Sequence, residues 1–347
     1  HRDLHRLIRR QRQMCIRDRC KRGVLYVTPV CNLKCRFCYY RFIKERQHPP
    51  IFVLKQEADR LRFEYELEAV DLTGYGEPTT YPLLNELVEY CDEIGLKPTI
   101  ITNGQLTPII QKLINEGHID DFLVSVHDIG KDYDYLVDVK GSWERLKKTL
   151  NLLKEQKMKF RTNTTITKLN LPRLKEIIKL VSSYGSRIHN FIIFNPHEGT
   201  DWADKMNVTF QAKYSEIEKP LKEAIDYANE IGLWVNVRYM PLCMMKGYEQ
   251  HVCNFHQWIY DPYEWEEGSG NNIHLKTEED YISFVKKKVS VNHFKKECEN
   301  CANREICDGI YPQYVKRFGD SEFIPKKGEK IKHPLFYRGK YVEEYSK

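Results

Sequence analysis

Cys31-Asn-Leu-Lys-Cys35-Arg-Phe-Cys38 places three thiols within eight residues, directly after an apolar, strand-like run at 23–29. A chain extends only about 3.5 Å per residue, so all three sulfurs can face one centre. Thiolates are soft ligands that favour iron–sulfur clusters, zinc or Cu(I). A cubane [4Fe–4S] cluster takes four ligands; this loop supplies three and leaves one iron open to something other than protein. Two blander arrangements use the same residues: a zinc knuckle with distant His48 as fourth ligand, or a disulfide pair with one thiol left over. The eleven cysteines of a chain with no export signal argue for a reducing, cytoplasmic setting and for metal.

This C-x3-C-x2-C loop, with aromatic Phe37 just before the last cysteine, resembles the signature of radical S-adenosylmethionine (SAM) enzymes. The resemblance implies that Cys31, Cys35 and Cys38 hold a [4Fe–4S] cluster whose open iron is chelated by SAM, with Phe37 among the SAM contacts. It also implies an electron donor such as flavodoxin or ferredoxin, reductive cleavage of SAM to a 5′-deoxyadenosyl radical, and sensitivity to oxygen. The cofactor carries the hard chemistry, and the protein supplies placement and shielding.

Thr73-Gly-Tyr-Gly-Glu-Pro-Thr79 follows the second strand-like run. Its glycines, lacking Cβ, allow backbone to approach a ligand closely, and Glu77 adds an anion. The stretch is similar to the family's Gly-Gly-Glu motif, which binds the SAM amino group. Tyr75 replaces the middle glycine, so the match rests on Gly76 and Glu77. Ser125 ends the fourth run, where the family often uses a serine near the SAM ribose or carboxylate. Arg161 and Asn163, two apart on the fifth, share a face. If that face is inward, a buried Arg161 needs an anion, and the SAM carboxylate is available; if outward, it is a solvated arginine. Thr102-Asn103-Gly104 reads as an ordinary turn, and His127 receives no role.

A second constellation lies near the C-terminus. Cys298, Cys301 and Cys307 form C-x2-C-x5-C, with Cys243 or Cys253 as candidate fourth ligand. The pattern resembles the SPASM or twitch auxiliary-cluster tails of radical SAM enzymes, although Tyr311 stands where a full SPASM pattern has a further cysteine. The resemblance favours one auxiliary [4Fe–4S] cluster; a four-thiolate zinc staple is the alternative. Cys91, within a helical pattern, reads as core.

These sites need a scaffold. Strand-like runs at 24–28, 69–73, 98–102, 122–126, 160–166, 190–194 and 234–238 alternate with amphipathic stretches at 54–68, 83–94, 107–116, 142–156, 172–183 and 214–231. Such alternation implies a parallel sheet with right-handed crossovers. The expected fold is an α/β partial (β/α)6 TIM-type barrel over 20–240, active at the strand ends where the cysteine loop lies. A small, irregular Cys-rich region follows over 241–347, with a turn at 268–272 and a helix at 278–288. Residues 1–19 resemble a reading frame of a sequencing-library adapter and are set apart as a scar. They carry seven Arg and two Asp, net +5 of the chain's +6. Without them the charge is near neutral and gives nucleic-acid binding no help. No apolar run is long enough to span a membrane.

The expected activity is hydrogen abstraction by a radical SAM enzyme, with a peptide or protein as the first substrate class. A small molecule, such as a nucleotide cyclised in molybdopterin synthesis, comes second and RNA third. A non-catalytic metal-binding scaffold is the alternative from another class, but a scaffold has no need of Gly76, Glu77 or polar strand ends.

Overall fold

A computed structural model describes residues 22–42, 44, 46–196, 208–258, 260–261, 263 and 278–345. The segment 1–19 and the turn at 268–272 lie outside these residues. All seven strand-like runs form strands: β1 Arg22–Tyr26, β2 Ala69–Thr73, β3 Lys97–Thr102, β4 Asp121–Ser125, β5 Phe160–Ile166, β6 Ile188–Ile193 and β7 Trp234–Arg238. They pair in sequence order, every neighbour parallel, and the sheet curls into an open, partial TIM-type barrel.

The crossovers are helical: α1 Ile51–Asp59, α2 Leu84–Glu93, α3 Thr107–Glu116, α4 Gly130–Val137, α5 Ser142–Glu155, α6 Leu174–Tyr184 and α7 Tyr214–Glu230. The first is shorter than the expected stretch because a π-turn, Arg60–Glu64, ends it. α4 is an unanticipated helix. Its sequence, GKDYDYLV, opens with Gly and two Asp and has too few turns to show a period.

Side chains alternate along a strand, and the alternation sorts the barrel into two chemistries. Outward positions such as Leu25, Leu72, Ile100, Phe122, Val124 and Val237 are buried under the helices in the main core. Many inward positions are polar, although Val24 and Leu123 share that face. Arg22 Nη1 donates to Asp71 Oδ1 at 2.8 Å and Thr99 Oγ1 at 2.9 Å. Arg161 also faces inward, but its guanidinium donates from Nε to Asp121 Oδ2 at 2.5 Å and from Nη1 to the Tyr263 carbonyl at 2.7 Å. This corrects its expected partner. Arg161 pairs in register with Leu123, one inward layer below Ser125, and its charge is met by a carboxylate on the barrel floor, away from the cysteine loop.

The region after β7 packs against that strand's free edge. Val252 bridges Val237, and the Cys253 amide donates to the Val237 carbonyl at 2.8 Å. Tyr341 Oη accepts from the Val235 amide and donates to the Val235 carbonyl, both at 2.7 Å. Arg338 donates to Asn236 Oδ1 at 2.7 Å and to Asp261. Among the described residues the remaining α-helices are α8 Phe255–Trp258, α9 Glu278–Val289, α10 Pro312–Phe318 and α11 Gly339–Tyr345.

Candidate active site

The chain leaves β1 through Pro29 and turns into the cysteine loop at the C-terminal end of the sheet. There Cys31, Cys35, Cys38 and Phe37 line one cavity of about 210 Å³, together with Gly76, Glu77 and Ser125. Tyr40, Arg46, Thr102, Asn103 and His127 complete much of its wall. Asn163 is buried and in register with Ser125, but it is not among the lining residues. Arg161 is absent from the cavity for the reason given above.

The glycines after β2 serve backbone more than ligand. A Cβ at Gly76 would stand 2.0 Å from the Val30 carbonyl oxygen, and one at Gly74 would stand 2.4 Å from that of Thr28. The close approach lets the Gly76 amide donate to Thr28 O at 2.9 Å and the Glu77 amide to Val30 O at 2.7 Å. The acidic loop is thereby laced to the chain entering the cysteine loop.

Glu77 is buried and its carboxylate is gripped. Oε1 accepts from Thr79 Oγ1 and Thr102 Oγ1, both at 2.6 Å, and Oε2 accepts from the Asn103 amide at 2.7 Å. Burial pushes its pKa up, and these hydrogen bonds pull it back. Asn103 also reaches the cysteine loop, its Nδ2 donating to Asn32 Oδ1 at 2.8 Å. Thr102 and Asn103 therefore do more than turn the chain. Only their place at a strand end, one unit after Glu77, could have signalled it.

Burial pushes the Cys31 thiol up to about 11 and the Cys35 thiol well above the ordinary range; Cys38 and Cys31 add like-charge repulsion at Cys35. Burial raises Cys38 too. Burial favours the neutral thiols, so acting as thiolates would require positive charge beside them, which a metal centre would supply. Three soft donors beside one carboxylate fit an iron–sulfur cluster with an open corner. His48 is not a fourth ligand here: its Nδ1 shares a hydrogen bond with Thr28 Oγ1 at 2.9 Å, and it does not line the cavity.

His127, given no role by sequence, is a wall residue. Its Nδ1 accepts from the Thr165 amide at 3.2 Å, and Phe37 meets its ring edge-on with centroids 4.8 Å apart. Burial lowers its pKa to about 4. The ring is neutral near pH 7, with its proton on Nε2.

Residues 25–181 match the family model of the Radical SAM superfamily. The matched stretch takes in the cysteine loop, Glu77 and Ser125, and over that stretch the chain is similar to the family. It is 28% identical over 174 residues to an AdoMet-dependent heme synthase of Oleidesulfovibrio alaskensis, covering 49% of this chain and 44% of that protein. The chain spans about half the length of the curated relatives it matches. Solved structures share the fold. Streptococcus suis SuiB bound to S-adenosylmethionine superposes with TM-score 0.63 at 17% identity, over 93% of this chain and 77% of SuiB. Native anSMEcpe with bound AdoMet and Kp18Cys peptide gives TM-score 0.58 at 17% identity, over 94% of this chain and 96% of that one.

The second constellation also assembles. Cys243, Cys298, Cys301 and Cys307 line one cavity with Phe294 and Phe323. Cys243 arrives on the turn Leu242–Met245 that follows β7. Cys253 is elsewhere, buried beside Trp258 with its Sγ donating to Asp261 Oδ2 at 3.8 Å. Tyr311 stands just before α10, its ring 5.9 Å from that of Tyr239. Cys91 is fully buried in the core.

Proposed function

We propose that this chain reductively cleaves SAM and uses the resulting radical to take hydrogen from a peptide or protein. The observation that carries the reading is the gathering of Cys31, Cys35, Cys38 and the gripped Glu77 around one cavity at the strand ends. When bound there, a [4Fe–4S] cluster supplies the electron that breaks SAM. The chain's own residues hold and orient. Cys31, Cys35 and Cys38 ligate; Glu77 receives the SAM amino group; Ser125 lies where a ribose or carboxylate oxygen can accept a hydrogen bond. Phe37, with its edge against His127, walls the cavity and keeps water from it.

Residues 20–240 form the SAM-cleaving unit in this reading, and 241–347 carry a twitch-like auxiliary cluster on Cys243, Cys298, Cys301 and Cys307. A tetrahedral zinc site holds its sulfurs roughly 3.8 Å apart. Four thiolates suit either metal, and the resemblance to auxiliary-cluster tails is what favours iron here. A flavodoxin or ferredoxin supplies electrons, and the setting is cytoplasmic. No helix among the described residues is long and apolar enough to cross a membrane. The peptide preference is supported by the match to anSMEcpe, whose structure holds a peptide. A small-molecule substrate is the second reading, favoured by the sequence match to a heme synthase.

Anaerobically reconstituted protein should hold about eight irons if both sites are [4Fe–4S]. With dithionite it should convert SAM to 5′-deoxyadenosine and methionine. Iron-loaded protein that leaves SAM intact would sink the reading. Four irons with one zinc would remove the auxiliary cluster alone.

A further inference from the structure

The cysteine loop is docked on the C-terminal end of α4. The amides of Lys34 and Arg36 donate to the carbonyls of Val137 at 3.1 Å and Leu136 at 2.9 Å. The residue that ends α4 is Asp138, in the left-handed conformation at φ 57°. Glycine and asparagine are the usual residues in that cap, so what an aspartate adds is its carboxylate. That carboxylate takes both of its partners from the cysteine loop. Oδ1 accepts from Arg36 Nη2 at 2.5 Å and Oδ2 from Arg41 Nη2 at 3.2 Å. Arg36 is fixed further, with Nε donating to the Tyr135 carbonyl at 2.8 Å and its guanidinium 4.3 Å from the Tyr135 ring centroid.

Arg36 and Arg41 bracket Phe37 and Cys38, and Arg36 follows Cys35 directly. One carboxylate thus pins both ends of the segment that carries the third cysteine and the aromatic wall. A lone half-exposed ion pair contributes little. Here the two pairs share one anion, and backbone hydrogen bonds already hold the surfaces together, so little side-chain freedom is left to lose.

We propose that Asp138 is the positioning residue of the cysteine loop: by gripping Arg36 and Arg41 it fixes where Cys35, Phe37 and Cys38 stand relative to Cys31, and so how firmly the loop holds its metal. The inference rests on the reading that these cysteines carry a SAM-binding cluster.

Asp138→Asn keeps the shape and the left-handed preference but removes the charge; Asp138→Gly keeps the backbone and removes the whole side chain. Both variants, loaded anaerobically, are to be challenged with EDTA while iron and the electron paramagnetic resonance signal that responds to SAM are followed. Charge-assisted hydrogen bonds are about twice as strong as neutral ones. Loss of the SAM-responsive cluster should therefore run about tenfold faster in Asp138→Asn, the factor equivalent to ~1.4 kcal/mol, and faster still in Asp138→Gly. The thermal midpoint of the protein should hold. A second readout needs no metal: iodoacetamide should label Cys35 and Cys38 of the metal-free protein faster in both variants than in the parent.

Parent-like EDTA and labelling rates in both variants would overturn the proposal. So would losses that track an equally lowered thermal midpoint, since Asp138 would then be only a helix stop. A parent protein with no SAM-responsive signal would defeat the reading of the site, and the labelling rates would still decide the clamp.

Discussion

The two cysteine constellations are built by opposite means. The first takes three thiols from one eight-residue loop, sets them at the mouth of a polar barrel and adds a carboxylate held by Thr79, Thr102 and Asn103. The second collects four thiols from positions 243 to 307 and surrounds them with Phe294, Ile310, Phe323 and prolines. Three ligands leave a metal corner for an outside molecule; four close the centre. Under the proposed function the first site would bind and transform, and the second would hold a centre in place. Burial raises thiol pKa values at both, to about 11 at Cys31 and about 12 at Cys307. What separates the sites is therefore donor number and polar company.

The sharpest way to break this comparison is to remove one sulfur from each side. Cys35→Ala should reduce dithionite-driven formation of 5′-deoxyadenosine by at least about a thousandfold, equivalent to ~4.1 kcal/mol of lost stabilisation. Cys301→Ala should leave that uncoupled cleavage within about tenfold of the parent while abolishing product from the true substrate. Equal losses would mean that the two centres are not divided in role. Next is Gly76→Ala, whose new Cβ must displace the Val30 carbonyl. The cost should be on the order of 3 kcal/mol, in the range of backbone strain, read as lost SAM binding in isothermal titration while iron at the C-terminal cysteines is retained.

Arg161→Met sharpens the distinction between the mouth and the floor of the barrel. Removing one partner of a buried ion pair costs about 3 kcal/mol or more. Here it leaves Asp121 without its guanidinium, so urea melts should show that loss while SAM affinity stays within about threefold, the change of a group that does not touch SAM. A large fall in SAM affinity with unchanged stability would return Arg161 to the active site.

The smallest effect per residue is pH dependence. Burial lowers the pKa values of His127, His189 and His251 to about 4, 3 and 4. Between about pH 6.5 and 4 the unfolded chain takes up protons there that the folded chain refuses, so stability falls as pH falls. Each histidine should contribute on the order of 2 kcal/mol to the loss between pH 7 and pH 5. His189→Asn, measured by urea melts at both values, should flatten the slope, and an unchanged slope would count against buried, neutral His189.

What could be read from sequence follows from the range of each signal. The strands were legible as short β-branched or aromatic runs between amphipathic stretches, such as Phe122-Leu123-Val124 in β4. The cysteine loop was legible because its chemistry is local. Arg161 shows the limit of periodicity: it gives the face of a strand but not the height in the barrel, and the partner Asp121 lies 40 positions away. Spacing could not choose between Cys243 and Cys253, because the choice depends on how the chain doubles back along β7. Gly74 and Gly76 were identified as close-approach positions, but the approaching group is Thr28–Val30 backbone. Asp138 carried no signal at all, since α4 is too short to show a period and its cap meets the cysteine loop only in three dimensions.

The hydroxyl of Tyr341 against Val235 has a practical reach. Bare strand borders recruit other chains, and this one is sealed by a residue more than a hundred positions downstream. Arg161 likewise depends on the Tyr263 carbonyl, and Asn236 on Arg338. A fragment cut after residue 240 would keep the cysteine loop and Glu77 yet uncover an adhesive flank and strand two polar groups, so it should clump before it could be assayed. Anyone dissecting the molecule should mutate the downstream thiols and leave the downstream chain in place.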